Sequence, residues 1–360
     1  MKRLLSLLLP LALLTVGCGG DDDGGGLIPT GPVMPTTESF DRGALLGHYA
    51  NSVIVPAWED YLTEAQRLSE LAATLPAERT DLRAQFQRTY LSWQRLFPVL
   101  TGPGAGGDLV SQLNFYPYGE EDYQAAVAAG QPVGASDNRI AVLPTLEYAL
   151  YALTDEAYAA TEAQNLVAEA AGLSYQEAFD VYERNWQTEA FRSRFIQNTA
   201  SSSTGSIDQL VNDWLFSYER FLRAGKVGIP AGVFSGEALP GHAEAIFNEG
   251  VSRAYLLESL GAMQGFFDGG DETTHDLADY LDALEVERDG RLLSALIREQ
   301  FANVIAQVET LDADLETQVR QDNAEMLRTF DEMQRLLVLL KIDLLQALSI
   351  NVDYVDADGD

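Results

Sequence analysis

Along most of the chain apolar residues recur at intervals of three and four, the period of a helix with one buried stripe. Ile54, Trp58, Tyr61, Ala65, Leu68 and Ala72 keep this spacing, and Leu82, Phe86, Tyr90, Trp93 and Phe97 repeat it in the next segment. The pattern predicts further helices at about 155–172, 174–199 and 204–224, and another series from residue 242. Alternation at period two is almost absent, so strands should be few. The stretch LLVLLKIDLL, residues 336–345, is apolar almost all round. It falls short of the roughly 20 residues that span a bilayer, so it should lie centrally in a bundle. Lys341 and Asp343 fall on roughly opposite sides of that helix and should find separate partners.

Two stretches interrupt the pattern. TGPGAGGDLVSQLNFYPYGEED, residues 101–122, carries helix-breaking Gly and Pro and is predicted to be a long loop, of the kind that often serves function. RAGKVGIPAGVFSGEALPG, residues 223–241, is a second break and the predicted domain boundary. The fold class expected is all-α, with two tandem helical-bundle domains. The first should cover residues 41–225 and the second 241–352, with an interdomain segment at 226–240 and an acidic tail at 353–360.

The beginning of the chain bears on its address. Met1, Lys2 and Arg3 precede an apolar run from Leu4 to Leu14, too short to cross a bilayer, which reads as a secretory signal. It leads to Cys18, the single cysteine, so residues 1–18 are expected to be a lipoprotein signal ending at a lipidated Cys18. Residues 19–40, rich in Gly, Asp, Pro and Thr, are expected to form a flexible tether. The membrane, reached through that lipid, is then one partner. Gly19 rather than an aspartate follows Cys18, which points to the outer membrane of a bacterial envelope.

Charge narrows the partners further. The chain has 23 Lys and Arg against 55 Asp and Glu; without Lys2 and Arg3 the balance is 21 minus 55, or −34. Such a chain is unsuited to nucleic acid. Histidine is scarce. His48, His242 and His275 are the whole supply, and none has the spacing that puts two metal ligands on one helical face. His48 and His275 read as helix-start residues and His242 as a cap or exposed residue. No G-x-S-x-G occurs, and DYVDADGD at 353–360 lacks the closing glutamate of a calcium loop.

One acid stands out. In NRIAVLPTLEYALYAL, residues 138–153, Leu143, Leu146, Leu150 and Leu153 form an apolar arc at about 100° per residue, and Glu147 falls inside it. It should point inward, where a carboxylate needs a partner. Pro144 suits the first turn of a helix, so Glu147 is expected near a helix N-terminus, facing a cation or a hydrogen-bond donor. Either it ties the bundle together, with Arg139, Arg253 or Lys226 as candidate partners, or it walls a binding site. The sequence leaves both readings open.

Several stretches together resemble the imelysin-like family, formerly grouped with peptidases: NSVIVPAW, FPVLTGPG, LPTLEYALYAL, RAGKVGIPAGVFSG, SRAYLLESLGAMQGFFDGG and the closing LLKIDLLQALSINVDYVDADGD. The resemblance runs from about residue 44 to the end. It implies an all-helical fold of two bundles with a site near their interface, and an extracytoplasmic protein linked to bacterial iron uptake, with iron or haem as the bound species and an outer-membrane or periplasmic uptake component as partner. The family hallmark G-x-H-x-x-E falls on Val142, Leu143, Pro144, Thr145, Leu146 and Glu147. Glu147 is kept, but Pro144 replaces the histidine and has no nitrogen for a metal. The site residues expected are Glu147, also as a metal ligand, with Trp93, Tyr148, Arg139 and Lys226 as wall or partner residues. Carboxylate and tyrosine oxygens are the hard donors left for ferric iron. A non-enzymatic binding protein is the reading preferred; a metallopeptidase, or a helical scaffold docking an envelope partner, are the alternatives.

Overall fold

The computed structural model describes residues 40–74, 76, 78–117, 119–131, 141–269 and 275–354. They belong to one compact unit spanning residues 37–360. The signal, Cys18, nearly all of the tether, Arg139 and most of the acidic tail lie outside the described residues.

The fold is all-helical. The two predicted stripes appear as α1 (Val55–Ala72) and α2 (Arg79–Leu96), with Trp58, Tyr61, Ala65, Leu68, Leu82, Phe86, Tyr90 and Trp93 all buried. Among the described residues the only strands are two-residue pieces, Glu287–Arg288 paired antiparallel with Arg291–Leu292. A six-residue helix, α3 (Val142–Glu147), and a long one, α4 (Thr161–Arg184), complete the first bundle; α1 packs against both α2 and α4, and α3 against α4. A break had been predicted near residue 173, yet α4 runs through it. A mid-helix Gly costs roughly 1 kcal/mol. Here Gly172 lies within a continuous buried stripe of Ala163, Val167, Ala170, Ala171, Ala178 and Val181, which outweighs that cost. The chain turns instead at 185–188, before Glu189–Gln197.

The predicted loop at 101–122 holds a short helix, Gly107–Leu113, whose Leu109, Val110 and Leu113 are buried. The second predicted break is also shorter than read. Helix α5 (Ser206–Phe216) continues with π-type hydrogen bonding through Ser217–Gly228 and then as Ile229–Ala231. It ends at Gly232, where φ is 78° and an added Cβ would stand 2.1 Å from the Glu237 carbonyl oxygen. Only glycine fits there.

The second bundle is built from α6 (Ser252–Phe267), α7 (Leu293–Glu309) and α8 (Leu315–Val338), the last continuing as Leu339–Leu344 and Leu345–Leu348. Leu336, Leu337, Leu340, Leu344 and Leu345 are buried as expected of a central helix, although Ile342 is 57% exposed. Lys341 donates to Glu219 at 2.9 Å and Asp343 pairs with Arg288, so the two charges do part company. Helix α6 packs against α2, and the segment Ser217–Gly228 against α8, bringing the two bundles face to face. Residues 243–251, predicted to be helical, are turns that cross this seam, with Ala245 left-handed at φ 60°. No helix among the described residues is long and apolar enough to cross a membrane.

Candidate functional site

Glu147 does point inward and is 3% exposed. Pro144 occupies the first turn of α3 as expected, but Glu147 is the last α-helical residue rather than a residue of the helix start; beyond it Tyr148–Ala152 widen into a π-helix. Its partners are backbone donors. Oε1 accepts the amide N–H of Phe247 at 2.7 Å and that of Asn248 at 3.0 Å, both from the seam-crossing turn that Ala245 makes possible. None of the described cations named for it is its partner. Arg253 donates to the carbonyls of Glu309 and Leu311, and Lys226 pairs elsewhere. Burial pushes the Glu147 carboxyl up to about 8; the two amides oppose this and the nearby Glu244 adds to it. At neutral pH the group is therefore mostly protonated.

The second acid of the seam, Glu244, was not singled out in the sequence. Its Oε2 forms an ion pair with the Lys226 ammonium. Its Oε1 accepts from Gln94 Nε2 and Asn114 Nδ2, each at 3.1 Å. The Tyr90 hydroxyl stands 3.0 Å from the same oxygen and 2.8 Å from Asn114 Oδ1. Gln94 Oε1 in turn accepts from Lys226 at 2.8 Å and from the Ser259 hydroxyl at 2.6 Å. Every member of this network is buried, and it draws on α2, α6, the 101–122 segment, the Ser217–Gly228 helix and the seam turn. Burial lowers the Lys226 pKa, opposed by the charge of Glu244. A pair so enclosed persists only with further hydrogen-bond partners, and here Oε1 of the carboxylate and the ammonium have them.

A cavity of about 250 Å³ adjoins the network. Trp93, Phe97 and Phe221 wall it, Asn114 and Lys226 join it to the network, and His242 borders it. Beside Glu147 itself there is only a void of about 10 Å³, lined by Tyr90, Tyr116, Pro144 and Phe247, which is room for about one water. Of the residues expected from sequence, Trp93 and Lys226 thus meet at the larger cavity and Glu147 sits at the small void. Tyr148 lines neither: it stacks on Tyr123 at 5.0 Å and meets the edge of Phe247. Arg139 lies outside the described residues. A third, more open groove of about 540 Å³ runs between α1, α2 and α6, but its charged groups Asp60, Arg95 and Glu258 already pair with one another.

The seam acids do not fit a resident metal ion. Among the described residues no group of three or more His, Cys, Asp or Glu is placed to hold one. Glu244 is already neutralised by an ammonium, and Glu147 has its proton and its two amides. Pro144, where the resembled motif has histidine, lines the small void with carbon alone. Of the other histidines, His48 lies inside the helical run that starts at Arg42 and continues through Tyr49–Ile54 into α1 instead of starting a helix, and His275 precedes the helix Leu277–Ala283.

Comparison with known proteins gives three results. The family model described as Peptidase_M75, imelysin, matches residues 54–341. The chain is similar in structure to an imelysin-like protein from Psychrobacter arcticum 273-4, with a TM-score of 0.68 and 23% identity over 89% of this chain and 98% of that one. It is similar also to a protein from Parabacteroides distasonis ATCC 8503 described as an iron-regulated protein A precursor, with a TM-score of 0.71 and 13% identity over 88% and 96% of the two chains. At these identities the two structures speak for the fold. No curated protein matches.

Proposed function

Because this chain belongs to the imelysin family, we propose that it is a non-enzymatic binding protein of the bacterial envelope, anchored through lipid on Cys18, that serves iron acquisition. Its ligand is iron in complexed form, as a compact ferric chelate seated in the cavity at the seam of the two bundles; a haem macrocycle is larger than this space. The observation that carries this reading is the cavity itself: about 250 Å³, aromatic-walled, and fixed on one side by a buried polar network that draws on both bundles. The iron-regulated description of one structural neighbour agrees with it. A metallopeptidase needs a ligand set that leaves an open coordination position. The seam acids are committed to amides and to Lys226, which favours binding over hydrolysis.

Calorimetric titration of the mature protein with ferric nitrilotriacetate, ferric citrate and ferric salicylate tests the proposal. Saturable binding of at least one, lost in Ile229→Trp, is expected, since Ile229 lines the cavity and is 37% exposed, so the larger ring fills the space without disturbing a closed core. No binding by any of the three, or binding indifferent to Ile229→Trp, would overturn it.

A further inference from the structure

We propose that the seam cavity takes a small aromatic carboxylate, its ring against the aromatic wall of Trp93, Phe97 and Phe221 and its carboxylate toward Arg220 and His242. This rests on the reading of that cavity as the ligand site and goes further by naming the chemistry it selects.

The first argument is charge. The chain has 55 acidic residues and 23 Lys and Arg, yet among the described residues the ionisable side chains lining this cavity, other than Tyr116, are Arg220, Lys226 and His242, with no acid. Lys226 is committed to Glu244 and Gln94. Arg220 and His242 make no side-chain hydrogen bond or ion pair with any described residue, so two donors border the cavity with nothing to serve. An arginine presents a planar fork that matches a carboxylate bidentately. An amine at the same place would meet the like charge of Arg220.

Shape supplies the second argument. Trp93 and Phe97 lie 6.2 Å apart between ring centres, and Phe221 stands edge-on to Phe97 at 6.5 Å and 89°. At these spacings the three rings pack on one another, so they form one continuous aromatic wall on which a flat guest can lie. Of nine exposed large hydrophobic side chains among the described residues, three, Phe115, Ile229 and Phe234, line this one cavity. Apolar surface gathered at one place marks a binding site more often than scattered apolar residues do. At about 250 Å³ the cavity lies at the lower end of small-molecule sites, which suits one or two fused rings.

Calorimetry on the mature protein with iron-free 2-naphthoate, its neutral isostere 2-naphthamide, 2-naphthylmethylamine and octanoate decides the matter. The naphthoate should bind about tenfold tighter than the amide, the scale of one hydrogen bond to a charged group. It should also outcompete octanoate and weaken with added salt. Arg220→Gln, at an exposed position, should erase the preference for naphthoate and leave the affinity for naphthamide unchanged. Ile229→Trp should remove both. Equal binding of naphthoate and naphthamide, or preference for the amine or octanoate, would overturn the ligand class while the cavity stands as the site. Failure of all four while a ferric complex binds would also overturn it and spare the functional reading; failure of ferric complexes as well would end both.

Discussion

Replacing Glu147 by Gln should make the protein more stable, and the size of the gain should depend on pH in a defined way. The folded carboxyl titrates at about 8 against an ordinary 4.5, because burial outweighs the amides of Phe247 and Asn248. A raised folded value means that the proton is held more tightly in the fold. The contribution is therefore complete below pH 4.5 and is lost progressively as pH rises to about 8. Across that window stability should fall by about 1.4 kcal/mol per pH unit from this group, so the loss is ~3 kcal/mol at pH 7 and ~5 kcal/mol at pH 8 and above. Against a total of ~5–15 kcal/mol for a typical domain, this is a large term. Glu147→Gln keeps a carbonyl oxygen for the two amides and has no proton to release. Urea unfolding followed by circular dichroism from pH 4.5 to 8.5 should show the variant and the wild type nearly equal at the acid end and diverging steadily above it. A difference that is flat with pH, or a variant less stable at pH 8, would mean that the two amides hold Glu147 ionised in the fold, and the reasoning would fail.

Lys226→Met leaves Glu244 as an uncompensated buried acid and should cost ~3–5 kcal/mol, with much of the loss regained in the double variant Lys226→Met, Glu244→Gln; additive losses in urea midpoints would contradict the pairing. Gly232→Ala and Gly236→Ala share nearly the same left-handed backbone, at φ 78° and 77°, but the new Cβ meets the Glu237 carbonyl in the first case and open space in the second. Melting curves should show a loss of roughly 1 kcal/mol for Gly236→Ala and a clearly larger one for Gly232→Ala; equal losses would refute the steric argument. Trp93→Ala should lower stability by ~3–5 kcal/mol through lost packing against Tyr61 and Phe97, and a cost near zero would show that the ring lines the cavity without supporting the core.

Helices were legible wherever burial repeats with the helical period. The Trp58 and Trp93 stripes and the inward Glu147 followed from spacing alone, because a residue within an apolar arc shares its burial. Glu244 did not, for a specific reason. Ala243, Ile246, Phe247 and Val251 are spaced as if on a helix, and only the left-handed Ala245 turns that stretch into the loop that offers its amides to Glu147 and its acid to Lys226. The gap expected near residue 173 and the break expected at Gly225 and Gly228 both fall within continuous helical segments whose neighbours are buried on long partners. His242 and Arg220 carried no sequence signal as site residues, since they are brought to one cavity by elements that approach only in three dimensions.

Under the proposed function iron arrives as a complex and rests in the aromatic cavity, while the seam acids serve the architecture. Diffraction at the iron absorption edge, from crystals of the mature protein grown with ferric salicylate, tests this most directly. An anomalous peak within the cavity bounded by Phe97, Phe221 and Lys226 is expected; a peak on the Glu147 carboxylate, or none in the seam at all, would contradict it.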